Sequence, residues 1–138
     1  MSSDMIAERP LPEITELTAP FWTAAKARRL EVQRCDDCKT YRFPPEYGCA
    51  ACSATAYTWT ELSGRAELYT WTSVYPPLLP YFAERAPWPL VVVQLEEGPR
   101  LTTNLRGVDL DGYEIGMALQ ADYEDLTDEI TLIVFRRR

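Results

Sequence analysis

At 138 residues the chain can hold one modest domain or two small modules sharing an interface, and its 46% hydrophobic and 12% aromatic content supplies a core. The formal charge of −7 is uneven: Glu61 to Arg138 carries seven basic and thirteen acidic residues, a surface that repels a phosphate backbone and disfavours nucleic acid as a partner. The absence of histidine removes imidazole-based triads, His-ligated catalytic metals and the usual general base near neutral pH.

Residues 1–17 are polar and acidic, with Pro10 and Pro12, and read as a flexible arm whose order depends on something to lie against. They carry Glu8, Glu13 and Glu16 where a secretory signal would be basic and then apolar, and no apolar run approaches the roughly 20 residues of a membrane helix. A cytoplasmic protein without membrane insertion is expected. A second unit, residues 18–60, begins with a helix predicted over Pro20 to Arg29. Thr18 is its expected N-cap, Pro20 sits in the first turn, cations gather toward the end, and Phe21 and Ala25 form one packing face.

The alternation of Leu30-Glu31-Val32-Gln33 leads into Cys35 as the first strand of a metal-binding hairpin. Cys35, Cys38, Cys49 and Cys52, the only cysteines, make a C-x2-C-x10-C-x2-C pattern. Two-residue gaps let both thiolates of a knuckle reach one ion, and two knuckles complete a closed tetrahedral site, which serves structure rather than catalysis. Zinc is the expected ion. Iron, and a pair of disulfides, are the alternatives, the latter disfavoured by the missing signal sequence. Metal knuckles often place glycine after the second cysteine, whereas Lys39 and Ser53 stand here. A Cys49→Ser change is expected to unfold the ribbon and leave the following strands largely formed.

The third unit, residues 61–138, follows a strand over Tyr57 to Leu62 and a bend or bulge at Ser63-Gly64. Five strands are predicted, at Ala66 to Val74, Leu90 to Leu95, Leu101 to Leu105, Met117 to Tyr123 and Ile130 to Phe135. Turns are expected at Glu96 to Pro99 and Asp109 to Gly112. Five short strands with a long first loop fit a five-stranded OB-fold barrel better than a sandwich, so the fold class is mainly β. The loop, Tyr75 to Pro89, carries five prolines among aromatic and aliphatic residues. It reads as an interface with Phe82 and Trp88 as anchors.

With Phe21-Trp22, Gln33-Arg34-Cys35, Phe43-Pro44-Pro45, both cysteine pairs, Leu62-Ser63-Gly64, Pro89 to Leu95, Glu97-Gly98 and Ile115-Gly116-Met117, the chain resembles the zinc-ribbon plus OB-fold proteins associated with acyl-CoA metabolism. The resemblance implies an accessory subunit that docks on a thiolase-superfamily or lipid-transfer-protein-type enzyme acting on acyl-CoA thioesters, such as a thiolase or an aldolase of sterol side-chain degradation. It carries over no catalytic residue. Lys26, Arg28, Arg29, Arg34 and Arg42 offer a basic face for CoA phosphates, with simple solvation as the plainer reading. Tyr113, Glu114 and Asp122 are candidates by chemical type alone. A rubredoxin-like electron carrier and a nucleic-acid-binding ribbon and barrel are the alternative functions.

Overall fold

A computed structural model describes residues 9–138; the first eight residues of the expected arm lie outside the described residues. Helix α1 runs over Ala19–Lys26 and buries Phe21, Ala24 and Ala25, the face expected from sequence. Its ends differ from expectation. The Thr18 hydroxyl makes no capping bond into the helix; instead Thr15 and Thr18 exchange backbone-to-hydroxyl bonds at 2.9 and 3.2 Å, and the Ala19 N–H donates to the Thr15 carbonyl at 2.8 Å. The predicted extension to Arg29 fails because Arg28 takes a left-handed φ of 63°. The N–H groups of Arg28 and Arg29 then close back on the Ala25 and Ala24 carbonyls, a Schellman ending without its usual glycine.

Strands β1 (Glu31–Cys35), β2 (Tyr41–Arg42) and β3 (Tyr57–Glu61) form an antiparallel sheet in the order β2-β1-β3. The metal loops hang from the ends of these strands. From β3 the chain passes through Leu62, whose N–H bonds the Leu30 carbonyl, directly into the second sheet. At the expected bend, Gly64 has φ 80°, and a Cβ there would lie 2.7 Å from Gln120 Nε2 and 3.0 Å from Ala121 Cβ, so only glycine fits without displacement.

The second sheet comprises β4 (Arg65–Val74), β5 (Trp88–Leu95), β6 (Arg100–Thr103), β7 (Leu105–Arg106), β8 (Ala118–Asp125) and β9 (Thr131–Arg137), ordered β6-β5-β4-β8-β9-β7. The strand predicted over Leu101 to Leu105 is split at Asn104. Its first part pairs antiparallel with β5, its second runs parallel to β9, and this double use closes the barrel. The side-chain amide of Asn104 donates to the Pro89 carbonyl at 2.6 Å, while the Asn104 backbone carbonyl accepts from the Phe135 N–H at 3.0 Å. The OB-fold assignment therefore stands, with its third strand bent in two. Strand β4 pairs with β8 over Arg65 to Glu67 and with β5 along most of its length, and a bulge at Tyr69, between Leu68 and Thr70, interrupts the β5 register. The turn expected at Asp109 to Gly112 contains a short 3-10 helix over Leu110–Gly112.

The predicted long loop contains helix α2 (Pro80–Ala83) and ends earlier than expected, where β5 begins at Trp88. One core joins both modules. Phe21, Ala25, Leu30 and Val32 from the ribbon side pack in the same buried cluster as Leu62, Leu68, Val91, Val93, Leu119 and Phe135 of the barrel. Arg28 adds a polar tie, its two guanidinium nitrogens each donating at 2.8 Å to the Asp125 carboxylate in β8. Among the described residues, no helix is long and apolar enough to cross a membrane.

Candidate metal centre

Strand β1 delivers Cys35 from the sheet into the first loop, and the other three cysteines follow in two turns of matching design. In the first, the Cys35 N–H bonds the Thr40 carbonyl at 3.0 Å and the Lys39 N–H returns to the Cys35 carbonyl at 3.0 Å. In the second, the Cys49 N–H bonds the Ala54 carbonyl at 2.9 Å and the Ser53 N–H returns to the Cys49 carbonyl at 2.8 Å. Lys39 and Ser53, each one residue past a second cysteine, both have φ 66°. The knuckle conformation that glycine usually supplies is thus adopted by two L residues.

All four sulfurs lie within 4.8 Å of one another, with Cys35–Cys52 and Cys38–Cys49 at 3.6 Å. A tetrahedron with metal–sulfur bonds of about 2.3 Å has edges of about 3.8 Å, which these separations match. A disulfide needs about 2.05 Å, and all four cysteines are free. Cys35 and Cys49 are buried, while Cys38 and Cys52 face solvent.

The electrostatics of the bare thiols point the same way. The hydroxyl and then the backbone of Thr40 lower Cys38 to about 6. At Cys52 the pull of the Ala54 backbone is outweighed by the Cys35 thiol, by desolvation and by the other two sulfurs, and the thiol is pushed up to about 12. Four sulfurs this close cannot all ionise unless a cation sits among them; a divalent ion resolves that repulsion and fits the donor set. Its coordination sphere would be complete, with no position left for substrate.

The supporting shell contains a group that the sequence reading passed over. Gln33 is fully buried, and its Oε1 accepts from Arg42 Nε at 2.7 Å and from the Glu46 N–H at 2.8 Å. Arg42 also lies 4.7 Å from the Tyr57 ring centroid. These contacts fix β2 and the segment leading to Cys49 against β1. Gln33 stood in a strand pattern, but nothing in its neighbours signals that its partners come from the hairpin opposite.

The other predicted residues separate. Phe82 and Trp88 meet, their ring centroids 4.8 Å apart, and both are half-buried. The more exposed apolar groups of the loop are Tyr75 at 65% and Leu79 at 59%. Of the proposed basic face, Arg28 pairs with Asp125, Arg29 with Glu31 at 3.0 Å, Arg34 bonds the Lys39 carbonyl, and Arg42 serves the Gln33 network. Burial, then the nearby Asp109 charge, raises the Tyr113 phenol above its ordinary value, while Asp122 pairs with Arg106 and Glu114 is exposed.

A four-cysteine ribbon fused through one core to a closed OB barrel defines a small class of two-module proteins. Residues 22–58 match the family described as ChsH2, rubredoxin-like zinc ribbon domain, and residues 59–124 match ChsH2, C-terminal OB-fold domain; the chain belongs to this family. It is 40% identical over 130 residues to the probable enoyl-CoA hydratase alpha subunit of Thermomonospora curvata, covering 94% of this chain and 40% of that protein. It is 32% identical over 117 residues to the 3-oxo-4,17-pregnadiene-20-carboxyl-CoA hydratase alpha subunit of Mycobacterium tuberculosis, covering 85% and 37%. The chain thus spans about two fifths of the length of these curated relatives. The solved structure of an Ltp2-ChsH2(DUF35) aldolase contains a chain that superposes with a TM-score of 0.81 at 38% identity, covering 92% of this chain and 98% of that one.

Proposed function

We propose that this chain is a zinc-binding accessory subunit of an enzyme acting on acyl-CoA thioesters, and that it docks in the cytoplasm on a thiolase-like or lipid-transfer-protein-type subunit of an aldolase or thiolase. The observation that carries this reading is the likeness to the aldolase chain, which runs through ribbon and barrel together at 38% identity. Chemistry supports a non-catalytic role: the chain has no histidine, and a four-thiolate ion offers no open position to act as a Lewis acid. The docking surface is the proline-braced loop, where Phe82 and Trp88 act as anchors and Tyr75 and Leu79 present exposed apolar area.

The test is affinity purification of the tagged chain from its native host, with identification and assay of what co-purifies. An acyl-CoA carbon–carbon lyase or thiolase is expected, active only as the complex. The 40% identity to a probable enoyl-CoA hydratase subunit favours one second reading, in which the reconstituted complex hydrates an enoyl-CoA instead. A coloured protein with a reversible one-electron couple, or salt-sensitive nucleic-acid binding, would replace both.

A further inference from the structure

The groove beside α2 holds a feature that metal binding and family membership leave unexplained. Tyr81 from α2, Trp88 and Pro89 from β5, Asn104 and Glu124 line a cavity of about 310 Å³, and Arg9 enters it from the N-terminal arm. The Arg9 guanidinium carbon lies 5.4 Å from the Tyr81 ring centroid and 5.7 Å from that of Trp88. Its Nη1 is 4.0 Å from Glu124 Oε1, and only 19% of the side chain remains exposed. Glu124 takes part in no other ion pair among the described residues. Tyr81 is shared with Arg85, whose guanidinium carbon lies 3.7 Å from the same ring centroid, so the contacts particular to Arg9 are the Trp88 ring and the Glu124 carboxylate. An aromatic face and a carboxylate around a planar cation are the chemistry that selects arginine, since guanidinium sheds water more readily than ammonium and stacks on rings.

We infer that this groove is a guanidinium-binding site whose occupant is the chain's own Arg9, and that the arm so held opposes docking of the partner subunit. Trp88 is shared between the two events. While Arg9 covers one side of its ring, Trp88 cannot also present that side to another protein's pocket, so the arm leaves when the partner binds. The pairing is weak enough to reverse: the Trp88 contact, the one that docking must break, corresponds to about a two- to fivefold bias in an equilibrium. It is also salt-sensitive, because Arg9 and Glu124 meet near the surface.

The site is tested on the full-length chain by NMR of the arginine Nε–H signals and by acrylamide quenching of tryptophan fluorescence. In the wild type, the Arg9 Nε–H signal is expected to be ring-current shifted. It should return to the free-arginine position in Trp88→Leu and move partway there in Glu124→Gln. Arg9→Ala should make fluorescence more readily quenched, an increment that disappears when Trp88 is also changed to Phe. An unshifted Arg9 signal with quenching equal in wild type and Arg9→Ala would overturn the site, whatever the partner proves to be. The opposition to docking rests on the function proposed above and is read separately, with the co-purified partner. Arg9→Ala should tighten binding about two- to fivefold, and unchanged or weakened binding would overturn that half of the inference.

Discussion

Lys39 and Ser53 show how a single backbone angle can be settled by the metal loop rather than by the residue that adopts it. Each sits at φ 66°, where an L side chain costs about 1 kcal/mol that glycine avoids, at some loss through the freer unfolded chain. Lys39→Gly is therefore expected to change the stability of the metal-loaded protein by no more than about 1 kcal/mol, toward greater stability. Lys39→Val, β-branched and ill-suited to that angle, should destabilise by more than about 1 kcal/mol. Urea denaturation at fixed metal checks both. Gly64 has the opposite character, since its φ of 80° comes with Ala121 and Gln120 against the missing Cβ. Gly64→Ala is expected to lose about 1–3 kcal/mol, the usual scale of an overpacked site, while the four sulfurs still bind metal with full stoichiometry.

At the scale of elements, the ribbon was legible because four cysteines at fixed spacing leave few folds to choose from, and the barrel because alternation in each strand is local. What was hidden lay in partners far along the chain. Arg28 terminates α1 without being a glycine, since its guanidinium meets Asp125, 97 residues later. The break at Asn104 depends on the carbonyl of Pro89 and the amide of Phe135. The arginine-to-carboxylate contact makes an acid-stability prediction. The Arg28 guanidinium, then the Thr131 hydroxyl, hold the Asp125 carboxyl well below the usual carboxylate range. A carboxyl lowered on folding stabilises above its unfolded value, near pH 4, and that contribution fades as pH falls further. Asp125→Asn should therefore lower the melting temperature at pH 7 and flatten its fall below pH 4. A variant whose acid profile parallels the wild type would show that the pair contributes nothing to acid lability.

For the whole molecule, the docking reading predicts that Phe82→Ala with Trp88→Ala weakens recovery of the partner at least about tenfold, because a central aromatic anchor is worth about 2 kcal/mol or more when truncated. Their half-buried packing makes a fold control necessary, and Tyr75→Ser with Leu79→Ser supplies it by removing exposed apolar surface. Both pairs should reduce binding, the second with an unchanged thermal transition. The shared core alters the expectation that the barrel outlasts the ribbon. Val32 lies in β1 with Cys35 at its end, and it packs in the same cluster as Phe135 and Leu119. Cys49→Ser should consequently lower the barrel's melting temperature as well. By mass action, each tenfold rise in free metal above its dissociation constant adds about 1.4 kcal/mol to the stability of whatever unfolds with the site. If that unit is the entire chain, the metal supply of the cell sets how long the barrel survives, and starvation for one ion removes strands that never touch it.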